Sequence, residues 1–192
     1  MDIVIKGLTK SFDGRRVLDG FDAVFPEGKI TCLMGDSGCG KTTLLNILLG
    51  FSEPDAGVIE GMPGKVGVVF QEDRLCEDFS AASNIMLATG RRYSKSEIYR
   101  FLEKLGLSGI EGQPVREFSG GMKRRVAIAR ALLFDCDLIV LDEAFKGLDE
   151  DTKELVLDCA REYCAGKTVV SVTHDPNEAQ KFGDLIIRME KK

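Results

Sequence analysis

Gly35-Asp36-Ser37-Gly38-Cys39-Gly40-Lys41-Thr42 is the stretch on which the fold turns. It follows the short apolar run Ile30 to Met34, read as a buried strand, and opens the run Lys41 to Leu49, read as a helix. Its letters fit the pattern G-x-x-x-x-G-K-[ST] in the strand-loop-helix context that the pattern's chemistry needs. Glycines let backbone N–H groups turn inward, and the helix start adds partial positive charge, so the loop is built to cradle phosphates. Lys41 is expected to reach the β- and γ-phosphates of a nucleotide, with the Thr42 hydroxyl on Mg²⁺. The whole stretch Gly35, Asp36, Ser37, Gly38, Cys39, Gly40, Lys41, Thr42 and Thr43 is therefore read as nucleotide-binding.

Outward from the loop, residues 3–8 and 17–25 alternate apolar and polar and read as antiparallel strands joined at Asp13-Gly14. Val66 to Phe70 is another apolar strand, ending at Gln71. Strand signals then vanish between about 72 and 118, where Ser94-Lys95-Ser96-Glu97 is a capping box followed by Ile98, Phe101, Leu102 and Leu105 at helical spacing. Met122, Val126, Ala129 and Leu133 form one helical face. Strands at 138–142, 168–173 and 184–189 alternate with helices near 151–163 and 177–182. Near-continuous apolar strands separated by helices imply a buried, mostly parallel sheet. The expected fold is α/β: a phosphate-loop core, an N-terminal antiparallel part and a small inserted helical subdomain.

The 192 residues are expected to form one domain, 1–192, with no further domain after the last strand. Apolar content of 44% and charged content of 30% are ordinary for a globular protein. A formal charge of −5 argues against a nucleic-acid binder. Lys123, Arg124, Arg125 and Arg130 do cluster on one helix, read equally as a solvated face or a partner contact. The six cysteines form no Cys-x-x-Cys pair and read as small reduced hydrophobes, which favours a cytosolic compartment. No signal pattern opens the chain, and no apolar run approaches the ~18–20 residues that span a bilayer.

Two further stretches decide the functional reading. Leu138-Ile139-Val140-Leu141-Asp142-Glu143 is an apolar strand ending in two acids. A core strand closed by solvated carboxylates would carry the same letters, but the phosphate loop upstream favours Asp142 on Mg²⁺ and Glu143 as general base. Between loop and strand lies Phe118-Ser119-Gly120-Gly121-Met122, a glycine-led helix start. That order resembles the ATP-binding cassette (ABC) family, whose signature reads Leu-Ser-Gly-Gly-Gln, and the likeness runs from Phe12 to His174. Phe118 and Met122 stand where the family has Leu and Gln, and Ala144 where it commonly has Pro.

The resemblance implies the remaining roles. His174, the one histidine of the chain, matches the family's switch histidine on the γ-phosphate. Gln71 matches the glutamine that touches Mg²⁺ or the attacking water, and Phe12 the aromatic that stacks on adenine. Asp149, in Gly147-Leu148-Asp149, matches a residue that reaches across a dimer interface. Ser119, Gly120 and Gly121 of a second copy would close the γ-phosphate side of the site, head to tail. The expected activity is ATP hydrolysis with ATP and Mg²⁺, by a subunit peripheral on the inner face of the cell membrane. Its partners would be a second ATPase copy, separate transmembrane permease subunits and an extracytoplasmic substrate-binding protein. Phe-Ser-Gly-Gly-Met and Asp-Glu-Ala-Phe look most like the nitrate, sulfonate and taurine importer branch. A soluble cassette working in assembly or remodelling is the alternative.

Overall fold

The computed structural model describes residues 1–191. The chain begins with the hairpin β1 (Ile3–Phe12) and β2 (Arg15–Phe25), turning at Asp13-Gly14 with φ of 50° and 77°. Two successive positive φ values are what a two-residue hairpin loop needs to match strand twist. Next come β3 (Ile30–Gly35), α1 (Lys41–Leu48), β4 (Ala56–Glu60) and β5 (Val66–Val69). The helices α2 (Ala81–Thr89) and α3 (Lys95–Lys104) and a short 3₁₀ turn at Val115–Glu117 fill the strandless stretch. The rest is α4 (Gly120–Leu133), β6 (Leu138–Asp142), α5 (Glu150–Tyr163), β7 (Thr168–Val172), α6 (Pro176–Phe182) and β8 (Leu185–Met189).

Two sheets result. The antiparallel one has the order β2-β1-β4; the parallel one has the order β5-β6-β7-β3-β8. β4 is invisible to hydropathy because it is an exposed edge interrupted by Gly57, with only Ile59 half-buried. The parallel strands read as continuous apolar runs because both faces are covered. Their pleat sorts alternate residues into two cores. Cys32, Ile139, Leu141 and Val169 pack with α2 to α6, while Leu33, Leu138, Val140 and Val170 pack with α1 and the antiparallel sheet. Each such buried aliphatic contributes about 1.5–3 kcal/mol relative to exposure. This double burial fixes the register of β3, β6 and β7, and so puts their C-terminal ends side by side: Leu33 pairs with Val172, and Asp142 with Val172. The loops leaving those ends carry the site.

Candidate nucleotide site

The loop after β3 wraps the start of α1. Gly40 is the N-cap residue of α1 with φ 103°, and a Cβ there would meet Leu18 Cδ2 at 2.9 Å and the Val17 carbonyl at 3.1 Å. Only glycine fits both that φ and that approach. No side chain caps α1, so its first N–H groups stay available. Lys41, 9% exposed, lies across the loop, its Nζ donating to the Gly35 carbonyl at 2.6 Å and the Asp36 carbonyl at 2.9 Å. Cys39 Sγ lies 3.7 Å from the same ammonium. All six cysteines are free thiols, and burial pushes Cys32 and Cys164 up to about 12, so these two behave as packing groups.

Asp142 ends β6, half-buried. Burial, and then the charge of Glu143, raise its pKa above the ordinary carboxylate range, against the pull of Arg124 and Lys41. Glu143 follows with φ 47°, unusual for a side chain of this size, and its N–H donates to the Val172 carbonyl at 3.0 Å. Its Oε2 accepts from Lys146 Nζ at 2.7 Å, and its Oε1 lies 3.4 Å from His174 Nδ1. The Lys146 bond, aided by His174, holds the Glu143 pKa below its usual value. His174 lies two residues beyond the end of β7 and is 60% exposed.

Ser37 to Thr43, Gln71, Asp142, Glu143 and His174 line one cavity of about 780 Å³, together with Arg15, Arg16, Lys146 and Lys191. Six segments far apart in sequence converge there. The other expected residues lie elsewhere. Phe12, 48% exposed, sits at the tip of the hairpin with Lys10 Nζ 5.5 Å from its ring centroid, and its register partner Arg15 lines the cavity in its place. Ser119, Gly120 and Gly121 open α4 outside the cavity, with Ser119 Oγ accepting from the Met122 N–H at 3.3 Å. Asp149 caps α5, accepting from the Thr152 N–H at 3.0 Å, and that bond holds its pKa low.

The basic cluster on α4 is not a solvated face. Arg124 is 8% exposed and donates to the carbonyls of Phe70 at 2.7 Å and Gln71 at 2.6 Å, with Asp73 at 3.2 Å. Arg130 donates to the Arg74 and Asp73 carbonyls, and Arg125 to those of Leu105 and Gly106. Guanidinium forks thus pin the segment after Gln71 and the end of α3 to the helix that starts at Ser119. Neither Arg124 nor Lys146 stands out in the sequence: one is the middle of three consecutive basic residues, the other a lysine in a loop.

Oxygen donors around Asp142 suit a hard divalent cation. Thr42 offers a hydroxyl, Gln71 an amide and Asp142 a carboxylate, in the same cavity. Among the described residues no group of three or more His, Cys, Asp or Glu could hold a metal alone, so such an ion would take the rest of its shell from water or from a bound ligand's oxygens.

Residues 18–146 match the family described as ABC transporter. The chain is 37% identical over 193 residues to the aliphatic sulfonates import ATP-binding protein SsuB 1 of Pseudomonas syringae pv. syringae (strain B728a), covering 98% of this chain and 80% of that protein. It is 39% identical over 189 residues to the protein of the same description, SsuB 2, of Paraburkholderia xenovorans (strain LB400), covering 97% and 76%. Among solved structures, the dimeric bacterial ABC transporter cassette MJ0796 superimposes with a TM-score of 0.86 at 29% identity, over 98% of this chain and 94% of that one.

Proposed function

This chain belongs to the ABC transporter family as an ABC-type ATPase subunit, and on that premise we propose that it powers import of aliphatic sulfonates through a separate membrane permease. The observation that carries the proposal is near-full-length identity of 37–39% to relatives described as sulfonate import ATP-binding proteins. No helix of the described residues is long and apolar enough to cross a membrane, so the spanning work would fall to partner chains. The subunit then sits on the inner face of the membrane, and a sulfonate-binding protein outside delivers cargo.

Within one copy, the N–H groups at the start of α1 and Lys41 bind the β- and γ-phosphates. Thr42, Asp142 and Gln71 hold Mg²⁺, which neutralises phosphate charge when bound. Glu143 accepts a proton from the attacking water, whose oxygen bonds to the γ-phosphorus as the bond to the β-phosphate oxygen breaks. His174 steadies the γ-phosphate. Phe12 stacks on adenine from the hairpin tip, a contact worth ~1–3 kcal/mol for such pairs. The start of α4, at Ser119, Gly120 and Gly121, serves the nucleotide of a second copy, with Asp149 near the seam. ATP therefore closes the pair and loss of the γ-phosphate lets it open. The dimeric state of the solved neighbour supports that arrangement.

The test is capture of tagged Glu143→Gln from solubilised native membranes with Mg-ATP. Recovery of a multi-spanning protein that, reconstituted with the unaltered chain, gives ATPase activity rising with an aliphatic sulfonate and its binding protein is the expected result. Recovery of soluble partners alone, while the unaltered chain hydrolyses ATP, would favour the assembly-type cassette instead.

A further inference from the structure

Lys146 stands three residues beyond Glu143, in the loop between β6 and α5. Its N–H donates to the Glu143 carbonyl at 3.2 Å, closing a turn, and its Nζ donates to Glu143 Oε2 at 2.7 Å. The other carboxylate oxygen faces His174 Nδ1 at 3.4 Å. Lys146 and Glu143 share the wall of the nucleotide cavity with Thr42 and Asp142. The turn is thus closed twice, once by main chain and once by side chain, around a residue whose backbone sits in the left-handed region at φ 47°.

Such a device has little value to the fold. Lys146 is 53% exposed, and an ion pair of that kind contributes little to stability. Its value lies in aim. Glutamate has three side-chain torsions, and a general base misplaced by about 1 Å can cost on the order of a hundredfold in rate. A carboxylate accepts at about four lone-pair sites, so the ammonium can hold Oε2 while another site receives the water's proton.

We propose that Lys146 is a positioning residue for hydrolysis: its ammonium fixes the Glu143 carboxylate toward the γ-phosphate side of the cavity. It neither gives nor takes a proton, and it touches the reaction only through Glu143. The inference rests on the reading of Glu143 as general base.

The experiment is steady-state Mg-ATP turnover by the purified full chain as Lys146→Met, Lys146→Arg, Glu143→Gln and the Lys146→Met/Glu143→Gln pair. Lys146→Met should lower kcat roughly tenfold and leave KM within about twofold, as a loss of aim rather than of binding requires. Lys146→Arg should recover to within about threefold of the unaltered chain, since guanidinium reaches the same oxygen. In the Glu143→Gln background Lys146→Met should change nothing further, because the group it aims is gone. An unchanged or raised kcat in Lys146→Met overturns the proposal. So does a tenfold loss that persists in the Glu143→Gln background, or a matching rise in KM, since each would mean that Lys146 acts on nucleotide directly. An unaltered rate in Glu143→Gln by itself would instead remove the base reading underneath, whatever the Lys146 variants do. The melting temperature of Lys146→Met should stay with that of the unaltered chain, which keeps a folding defect from imitating the result.

Discussion

Two glycine-led helix starts, α1 and α4, look alike in sequence and differ in what faces them. At α1 the cap residue is Gly40, no side chain closes the helix, and the N–H groups open on a cavity that also holds Asp142, Glu143 and His174. At α4, Ser119 closes its own helix through the Met122 N–H, and open space surrounds Gly120 where a Cβ would stand. Helix-start chemistry suits anions in both places. Only α1 has a site assembled around it by its own chain. In the proposed dimer, the α4 start is half of a site whose other half comes from a second copy.

The strongest way to break this comparison is to stop hydrolysis while leaving both helix starts intact. Glu143→Gln keeps the side chain's size and removes the proton acceptor, along with the charge that Lys146 and His174 face, so turnover should fall by roughly 10²–10⁴. ATP should still bind at α1, and the α4 start of one copy should then stay on the nucleotide of the other. Gel filtration with saturating Mg-ATP should show a dimer. A monomer there would mean that the α4 start has no such target.

Gly120→Asp sharpens the same contrast from the other side. The carboxylate suits the start of a helix, and nothing lies within 4 Å of the new Cβ, so the fold should hold. Facing a phosphate of a second copy, it should repel. Turnover should drop by about a hundredfold, comparable to loss of an oxyanion donor, while nucleotide affinity of the monomer stays unchanged. If affinity falls along with turnover, α4 belongs to the site of its own chain.

What the sequence made legible follows the same division. The Gly35–Thr42 loop and the 138–143 strand announce themselves because their residues are contiguous and their flanking periods agree. The α1 cavity was therefore readable almost entirely, apart from Arg15, Arg16, Lys146 and Lys191, whose letters carry no spacing. Phe12 is legible only through the family likeness: as a letter it is one phenylalanine among eleven, and its ring sits at an exposed hairpin tip opposite the cavity-lining Arg15. Arg124 was hidden for another reason. Along Lys123-Arg124-Arg125, each step of 100° turns a side chain toward a new neighbour. Only tertiary packing says that the middle one is buried against Phe70 and Gln71.

Arg124 is also the physical link between the two helix starts, since Gln71 lines the α1 cavity and Arg124 belongs to α4. Arg124→Met would leave the Phe70 and Gln71 carbonyls without their donor and Asp73 without its counter-ion. Loss of such charge-assisted bonds costs about 1–3 kcal/mol. For a chain of this size, that corresponds to a melting temperature lower by roughly 2–10 °C. Thermal unfolding followed by circular dichroism would decide it. A melting point unmoved by the substitution would mean that the Arg124 bonds to Phe70 and Gln71 add nothing to stability.

The smallest effect concerns a third helix start, which completes the comparison by being closed. Asp175 caps α6, accepting from the N–H groups of Asn177 and Glu178, and pairs with Lys153. No anion is invited there because the chain supplies its own carboxylate. The Lys153 bond, with help from the two N–H groups, depresses the Asp175 pKa. An acid with a depressed native pKa contributes stability above its unfolded value near 3.9, and loses it as pH falls through the native value. Asp175→Asn keeps the cap, since Asn and Asp cap about equally well, and deletes only the charge. At pH 7 the variant should be less stable by about 0.3–1 kcal/mol, the range of a partly exposed ion pair. That gap should narrow as the pH falls from the unfolded value through the depressed native one, since only below the native pKa is the Asp175 carboxylate neutral in both states of the parent. Paired melting curves at pH 7 and pH 3 measure it. A gap of the same size at both would mean that the difference does not come from the carboxylate charge, and so not from the Lys153 pair.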